Sequence, residues 1–163
     1  MTSFSRCPWA RYEYEQPYHD TEWGVPEHDD HKLFEMLILE GMQAGLSWYL
    51  ILKRRETMRL AFDGFDPIAI AQCGEDKKAK LLQNPGVIRN RAKINALVNN
   101  AQRFLEVQRE FGSFDAYIWG FVGGKPIVNQ HTAQDQMPAT SNLSDAISKD
   151  LKKRGFKFVG STI

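Results

Sequence analysis

The strongest constraint on the fold is a run of apolar residues at helical spacing in the middle of the chain. Between about residues 89 and 110, apolar residues recur three and four positions apart, as they do on the buried face of a helix. They are Ile94, Leu97, Val98, Ala101, Phe104 and Leu105. Shorter segments with similar spacing lie on both sides, separated by residues that cap or end helices. The sequence therefore predicts an all-α domain of about six to eight helices.

Cap residues and helix breakers place the individual helices. We predict helices at about 31–44, 47–63, 68–72, 75–83, 89–110, 114–122 and 142–154. Roughly the first 30 residues differ, because aromatic residues are mixed there with Pro and Gly, and we expect an irregular segment. Only the short stretch at Ile127 and Val128 is compatible with a β-strand.

Composition limits the class of protein. The 163 residues are expected to form one domain, residues 1–163. Lys and Arg total 21 and Asp and Glu total 20, and this net charge of +1 excludes a protein that coats nucleic acid by bulk charge. No stretch reaches the roughly 20 apolar residues of a membrane span. Two cysteines are too few for a disulfide framework, so we expect a cytoplasmic protein with no membrane partner.

Glu40 is the first candidate functional residue. It lies at helical spacing from the preceding leucine and methionine residues, and so projects from the apolar face of its own helix. A carboxylate there is costly unless it is paired, and such carboxylates concentrate in functional sites. The structural alternative is an ion pair with an arginine. Gln43, Ser47 and Trp48 follow along the chain and could complete a pocket for a flat polar ring, although Trp48 could also be a core residue.

Residues 84–93, NPGVIRNRAK, have the layout of a helix–hairpin–helix motif. In that motif, backbone N–H groups at the turn and at the start of the second helix bind a phosphate, and basic side chains add positive charge. The alternative is a plain helical hairpin with a solvated basic face. The lysines at the end of the last helix could also face a phosphate, but cations are favoured at a helix C-terminus without any ligand. The candidate DNA-binding residues are Gly86, Val87, Ile88, Arg89, Arg91 and Lys93.

Five sequence blocks closely resemble the 3-methyladenine DNA glycosylase I family, of the helix–hairpin–helix DNA glycosylase superfamily. They are CPW at 7–9, YHDTEWGVP at 18–26, LEGMQAGLSW at 39–48, GVIRNRAKI at 86–94 and KKRGFKFVG at 152–160. The resemblance implies an all-α glycosylase that flips 3-methyladenine out of double-stranded alkylated DNA. It implies hydrolysis of the N-glycosidic bond to leave an abasic site. A monomer is the expected state.

The same resemblance assigns the pocket residues. Glu40 matches the carboxylate with which the family recognises the base, and Tyr18 and Trp48 match aromatic residues of the same pocket. We take these three as the catalytic set. Trp9 falls at a further aromatic position, and Gln43 and Ser47 are kept from the spacing argument as substrate-binding candidates.

Cys7 and His19 match two of the four ligands of a structural zinc site in the family. A closed tetrahedral site requires four ligands, and the family takes its other two, a His and a Cys, from a segment beyond the position of Ile163. This chain stops before that segment, so we expect one of two cases: the chain is a truncated form whose complete protein binds a structural zinc, or this member of the family lacks the metal. The given sequence supplies Cys7 and His19, half of such a site. The expected chemistry needs no metal.

Asn129 bears on the mechanism. Many relatives in the superfamily carry a catalytic Asp in a Pro-Val-Asp pattern, and residues 126–129, PIVN, resemble that pattern with an amide in its place. An amide cannot act as a general base, so we expect an enzyme that relies on binding a labile base. The alternative hypotheses are a non-catalytic helix–hairpin–helix module that binds DNA or recognises damage, and a helical interaction domain without a DNA role.

Overall fold

The computed structural model describes residues 5–163, in which all regular elements are helical. The α-helices of this part are α1 (Glu15–Thr21), α2 (Asp30–Gln43), α3 (Trp48–Lys53), α4 (Arg55–Ala61), α5 (Pro67–Ala71), α6 (Glu75–Gln83), α7 (Arg91–Phe111), α8 (Phe114–Gly120) and α9 (Asn142–Lys153). Two short 3₁₀ helices, Asp63–Phe65 and Gln134–Gln136, complete the elements of this range, and residues 127 and 128 form no strand. The all-α prediction is confirmed, but the predicted number of about six to eight helices was too low.

The core surrounds α7. This helix packs against α2, α5, α6 and α8. Ile94, Ala101 and Phe104 are fully buried, and the ring of Phe104 meets the edge of Phe34 from α2 at 5.0 Å between centroids. Burial of this apolar face supplies the main driving force for folding. Within residues 5–163, no helix combines the length and the apolar character needed to cross a bilayer.

The prediction of a wholly irregular N-terminal segment was wrong, because α1 forms there. The buried carboxylate of Glu15 accepts hydrogen bonds from the backbone N–H groups of Arg11 and Tyr12, at 3.1 and 3.2 Å. Pro17 lies in the first turn of the helix, where an N–H would have no intrahelical acceptor. The proline therefore costs the helix no hydrogen bond.

Two predicted helix boundaries also need correction. The single helix expected at 47–63 is two helices, α3 and α4, which meet at Arg54. The Arg54 guanidinium donates to the carbonyls of Pro85 and Val87 at 2.9 and 2.8 Å, and so ties this junction to the loop before α7. Helix α7 begins at Arg91 because the Asn90 side chain accepts from the N–H of Lys93 at 3.1 Å and caps the helix there.

Candidate active site

Glu40 lies near the end of α2 as a partly buried carboxylate with no partner among residues 5–163. Burial raises its pKa to about 7. The residue lines a largely apolar cavity of about 330 Å³ between α2, α8, α9 and the last residues of the chain. The apolar side chains that line it are Leu33, Met36, Leu37, Phe114, Ile118, Ile147, Leu151, Val159 and Ile163. Glu40 is thus a poorly solvated acceptor at the wall of a cavity.

The ion-pair alternative applies to another carboxylate of the same helix. Glu35 is only 4% exposed, and its oxygens accept from Arg55 at 2.7 Å and from Arg59 at 2.7 and 2.9 Å. Burial acts to raise the pKa of Glu35, but the hydrogen bonds and charges of the two arginines outweigh it and lower the pKa. Arg55 also binds Glu22, just after α1, and so fixes α1 against α2.

Three of the predicted aromatic residues form one group. The buried ring of Tyr18 lies edge-on to Trp48 at 5.3 Å and tilted against Trp9 at 6.2 Å. Burial, together with the charges of Glu40 and Glu22, raises the pKa of Tyr18 to about 12, so its hydroxyl remains a hydrogen-bond donor at neutral pH. Trp23 extends the group, because it meets Trp9 at 5.4 Å. The structure therefore brings Tyr18 within reach of the charge of Glu40 and packs the ring of Tyr18 against Trp48.

Gln43 is the last residue of α2, and Ser47 ends the turn that joins α2 to α3. Gly45 in this turn has φ +75°, a left-handed conformation that favours glycine. The exposed Ser47 caps α3, and its hydroxyl oxygen accepts from the N–H of Leu50 at 3.2 Å. Gln43 is half-buried at the end of α2. The turn thus joins α2, which carries Glu40, to α3, which begins with Trp48.

The predicted hairpin is a tight loop, residues 84–90, between α6 and α7. The Asn84 side chain accepts from the N–H of Gly86 at 2.8 Å, and the Thr57 hydroxyl donates to the Gly86 carbonyl at 2.6 Å. A Cβ on residue 86 would lie 2.9 Å from the Cβ of Thr57, so only glycine fits there. Arg54 and Thr57, which the sequence analysis did not single out, therefore hold the loop from outside the motif.

The side chains of the hairpin divide into two groups. Arg89 and Arg91 are exposed, and the N–H groups of Arg91 and Ala92 have no acceptor among residues 5–163. Val87 and Ile88 are buried, so only their backbone is available to a ligand. Exposed guanidiniums beside free N–H groups at a helix start suit a phosphate.

Lys93 corrects the predicted DNA-binding set. Its side chain is only 5% exposed, and its ammonium donates to the carbonyls of Met42 and Ala44 at 2.7 and 2.6 Å. The prediction that it adds surface charge for phosphate was wrong. Its spacing from Ala96, Leu97 and Asn100 puts it on the buried face of α7, a signal that the sequence already contained.

Cys7 and His19, the two predicted zinc ligands, lie side by side. The His19 Nε2 accepts from the Cys7 N–H at 3.2 Å, and its Nδ1 lies 3.0 Å from Asp20. A carboxylate on the second ring nitrogen is the usual support of a metal-binding histidine. Residues 5–163 contain no group of three or more His, Cys, Asp or Glu side chains that could hold a metal ion. The described residues therefore do not form a closed site by themselves.

Comparison with known proteins gives the family. The sequence profile of the methyladenine glycosylase family matches residues 9–163. DNA-3-methyladenine glycosylase 1 of Escherichia coli is 48% identical over 162 residues, which cover 97% of this chain and 85% of that protein.

Solved structures agree with the sequence match. A crystal structure of 3-methyladenine DNA glycosylase I has a TM-score of 0.94 at 50% identity and covers 97% of this chain and 87% of its own. The Staphylococcus aureus 3-methyladenine DNA glycosylase I, solved to explain 3-methyladenine recognition, has a TM-score of 0.91 at 37% identity, over 93% of this chain and 81% of its own. The chain belongs to the methyladenine glycosylase family.

Proposed function

We propose that the protein is a DNA repair glycosylase that removes 3-methyladenine from alkylated double-stranded DNA. One observation carries the proposal: Glu40 is a poorly solvated carboxylate without a partner in residues 5–163, and its charge acts on Tyr18, whose ring contacts Trp48. Burial of an unpaired acceptor is costly, and a ligand that donates hydrogen bonds to it offsets that cost. The names of the E. coli and S. aureus relatives, both 3-methyladenine glycosylases, support the same substrate.

The chemistry of the substrate matches this pocket. A base inside a duplex is inaccessible, so the nucleotide is flipped out, and a damaged base unpairs more easily than a normal one. Methylation at N3 gives adenine a positive charge and weakens its glycosidic bond. Aromatic faces attract the cation, and the carboxylate of Glu40 accepts hydrogen bonds from the donor edge of the base. Water then adds to C1′ of the sugar as the C1′–N9 bond breaks, and the electron pair of that bond neutralises the departing base. The proton that the water loses passes to solvent, and an abasic site with a C1′ hydroxyl remains.

The hairpin and its exposed arginines hold the DNA in this proposal. Backbone N–H groups at the start of α7 bind one phosphate, and Arg89 and Arg91 bind its neighbours. No metal takes part in the chemistry, because the methylated base is already a good leaving group. The protein acts as a monomer, and its two free thiols, Cys7 and Cys73, suit a reducing compartment such as the cytoplasm.

Incubation with methylated duplex DNA tests the proposal. The purified protein is expected to release free 3-methyladenine, identified by mass, and to leave abasic sites, whereas unmethylated DNA releases nothing. A Glu40→Ala variant with an intact fold is the matched control and should release far less. Salt-dependent DNA binding without base release would instead identify a non-catalytic DNA-binding module. The absence of any salt-dependent affinity would exclude both DNA functions.

A further inference from the structure

Lys93 is a buried cation that pairs with carbonyls instead of a carboxylate. Its ammonium donates to Met42 and Ala44 at 2.7 and 2.6 Å, and it is only 5% exposed. Burial lowers the pKa of Lys93, with no neighbouring carboxylate in residues 5–163 to oppose the effect. A buried charge loses its hydration, and this cost must be offset by hydrogen bonds, which the two carbonyls accept here.

The two carbonyls lie where α2 ends. The last carbonyls of a helix have no intrahelical donor, and the helix dipole gives this end a partial negative charge. The last turn of α2 contains no basic residue of its own. Lys93 therefore supplies the cation from another helix, and it does so inside the turn between Glu40 and Trp48.

Lys93 also belongs to the hairpin. It lies in the first turn of α7, and its own N–H is bound by Asn90, the residue that caps the helix at the end of the loop. The backbone of Lys93 is thus fixed to the proposed phosphate site, while its side chain is fixed to the chain segment between the pocket residues Glu40 and Trp48. A single residue connects the two sites.

We propose that Lys93 is a positioning residue that fixes residues 41–47, the end of α2 and the turn after it, and so sets the placement of Trp48 relative to Glu40 and to the hairpin. The inference rests on the proposed function for its effect on base excision. The position of the turn itself does not depend on that function. Because the ammonium is buried, Lys93 contributes nothing to the counterions released when DNA binds.

The test compares Lys93→Met with Lys32→Met. Lys32 is an exposed lysine in the first turn of α2, about 15 Å from Met42 at the helical rise of about 1.5 Å per residue. In calorimetric titrations, Lys93→Met is expected to bind free 3-methyladenine about tenfold more weakly. In excision assays on methylated DNA, its kcat should fall by a larger factor than its KM rises. The slope of log K against log salt for DNA binding should stay at the wild-type value. Lys32→Met should match the wild type in all three measurements.

Either of two results overturns the inference. One is a Lys93→Met protein with unchanged base affinity and kcat. The other is a decrease of about 0.9 in the salt slope, because such a decrease means that Lys93 contacts a phosphate. Lys93→Gln keeps a donor at this place and is expected to recover part of the base affinity.

Two measurements separate this inference from the proposed function and from a loss of folding. Amide hydrogen exchange in DNA-free Lys93→Met should be faster in residues 41–47 and unchanged in α9. In the wild-type protein, the Lys93 ammonium protons should exchange slowly with water and shift when 3-methyladenine binds. Rapid exchange of those protons contradicts the inference whether or not the variants fold. A wild-type protein that releases no base from methylated DNA contradicts the proposed function alone.

Discussion

Glu35 and Glu40, on the same helix, show how surroundings separate a structural from a functional carboxylate. Glu35 is the less solvent-exposed of the two, yet its pKa is lowered because Arg55 and Arg59 surround it. Glu40 has no such partner in the described chain, and its pKa rises to about 7. Burial alone therefore does not identify the functional residue, whereas burial without a partner does.

Replacement of Glu40 tests its role and its titration together. Glu40→Gln keeps the shape but not the charge, so we expect 3-methyladenine affinity at pH 8 to fall at least about tenfold, the loss of one charge-assisted hydrogen bond. With a folded pKa of about 7, Glu40 becomes protonated as the pH falls, and the wild type should approach the affinity of Glu40→Gln by about pH 5.5. Titration of both proteins with the free base across this range checks the prediction.

The same pKa fixes the sign of the effect on stability. The folded pKa of about 7 lies above the ordinary value of 4.5, so protonated Glu40 contributes stability that is complete below pH 4.5. That contribution is lost as the pH rises through 7. Urea unfolding should therefore show the wild type losing stability relative to Glu40→Gln between these values. Equal pH profiles of the two proteins, in binding and in unfolding, would contradict the assignment.

Asn129 provides the complementary prediction. It is exposed in the irregular segment between α8 and α9, and an amide cannot accept the proton of an attacking water. Asn129→Ala is expected to excise 3-methyladenine within about threefold of the wild-type rate, measured in single turnovers. A variant that folds and binds the base but no longer releases it from DNA would show that Asn129 is catalytic after all.

Single functional residues could be identified from the sequence where helical spacing or a block shared with the family pointed to them. They could not be identified where their contacts lie far along the chain. Glu40 stood out because it interrupts an apolar face, and Tyr18 and Trp48 were found through the blocks that contain them. The burial of Lys93 was also encoded in its spacing but was outweighed by its charged neighbours, Arg89 and Arg91. Arg54 could not be found, because its acceptors lie about 30 residues further along the chain.

Helix ends give the clearest predictions at the scale of elements. The bounds of α6 were predicted to the residue, because Gly74 and the Asn-Pro-Gly run at 84–86 mark them locally. Helix α1 was missed because Glu15, its stabilising group, acts through hydrogen bonds to preceding residues that do not follow a helical pattern. Residues that cap or end a helix locally therefore gave reliable bounds, whereas hydrogen bonds from a side chain to irregular backbone could not be predicted.

Asp30 shows a contact between elements that no local pattern announces. It begins α2, but its carboxylate accepts from the N–H groups of Phe114 and Asp115 at 2.8 Å, and from the Gln108 amide at 2.7 Å. It thus caps α8 from another helix. The neighbouring Asp29 caps only α2, through the N–H of Lys32.

The Asp30 contact predicts unequal effects of two neighbouring substitutions. Asp30→Ala should lower the free energy of unfolding by about 2 kcal/mol or more, because it leaves several donors unpaired, whereas Asp29→Ala removes one cap and should cost about 1 kcal/mol. Asp30→Asn, whose amide oxygen still accepts, should lie between Asp30→Ala and the wild type. Chemical denaturation measures all three, and equal losses at the two positions would contradict the cap from α2 to α8.

At the scale of the whole molecule, a net charge of +1 makes DNA affinity depend on a few placed cations. Bulk attraction is nearly absent, so we expect the exposed guanidiniums at the hairpin to make most of the phosphate contacts. Helix α7 carries an exposed arginine near each end. Arg91 begins it beside the hairpin, and Arg109 lies near its other end, about 27 Å away at about 1.5 Å per residue. The same helix therefore contains both the test position and its control.

Salt titration of DNA binding distinguishes these arginines. We expect Arg89→Ala and Arg91→Ala each to reduce the slope of log K against log salt by about 0.9, and to weaken binding equally for damaged and undamaged duplexes. Affinity for free 3-methyladenine should not change, because neither side chain belongs to the base pocket. Arg109→Ala should leave the slope at the wild-type value. If Arg109→Ala lowers the slope as much as Arg91→Ala does, the DNA does not lie across the hairpin, and phosphate binding must be assigned to another face of the molecule.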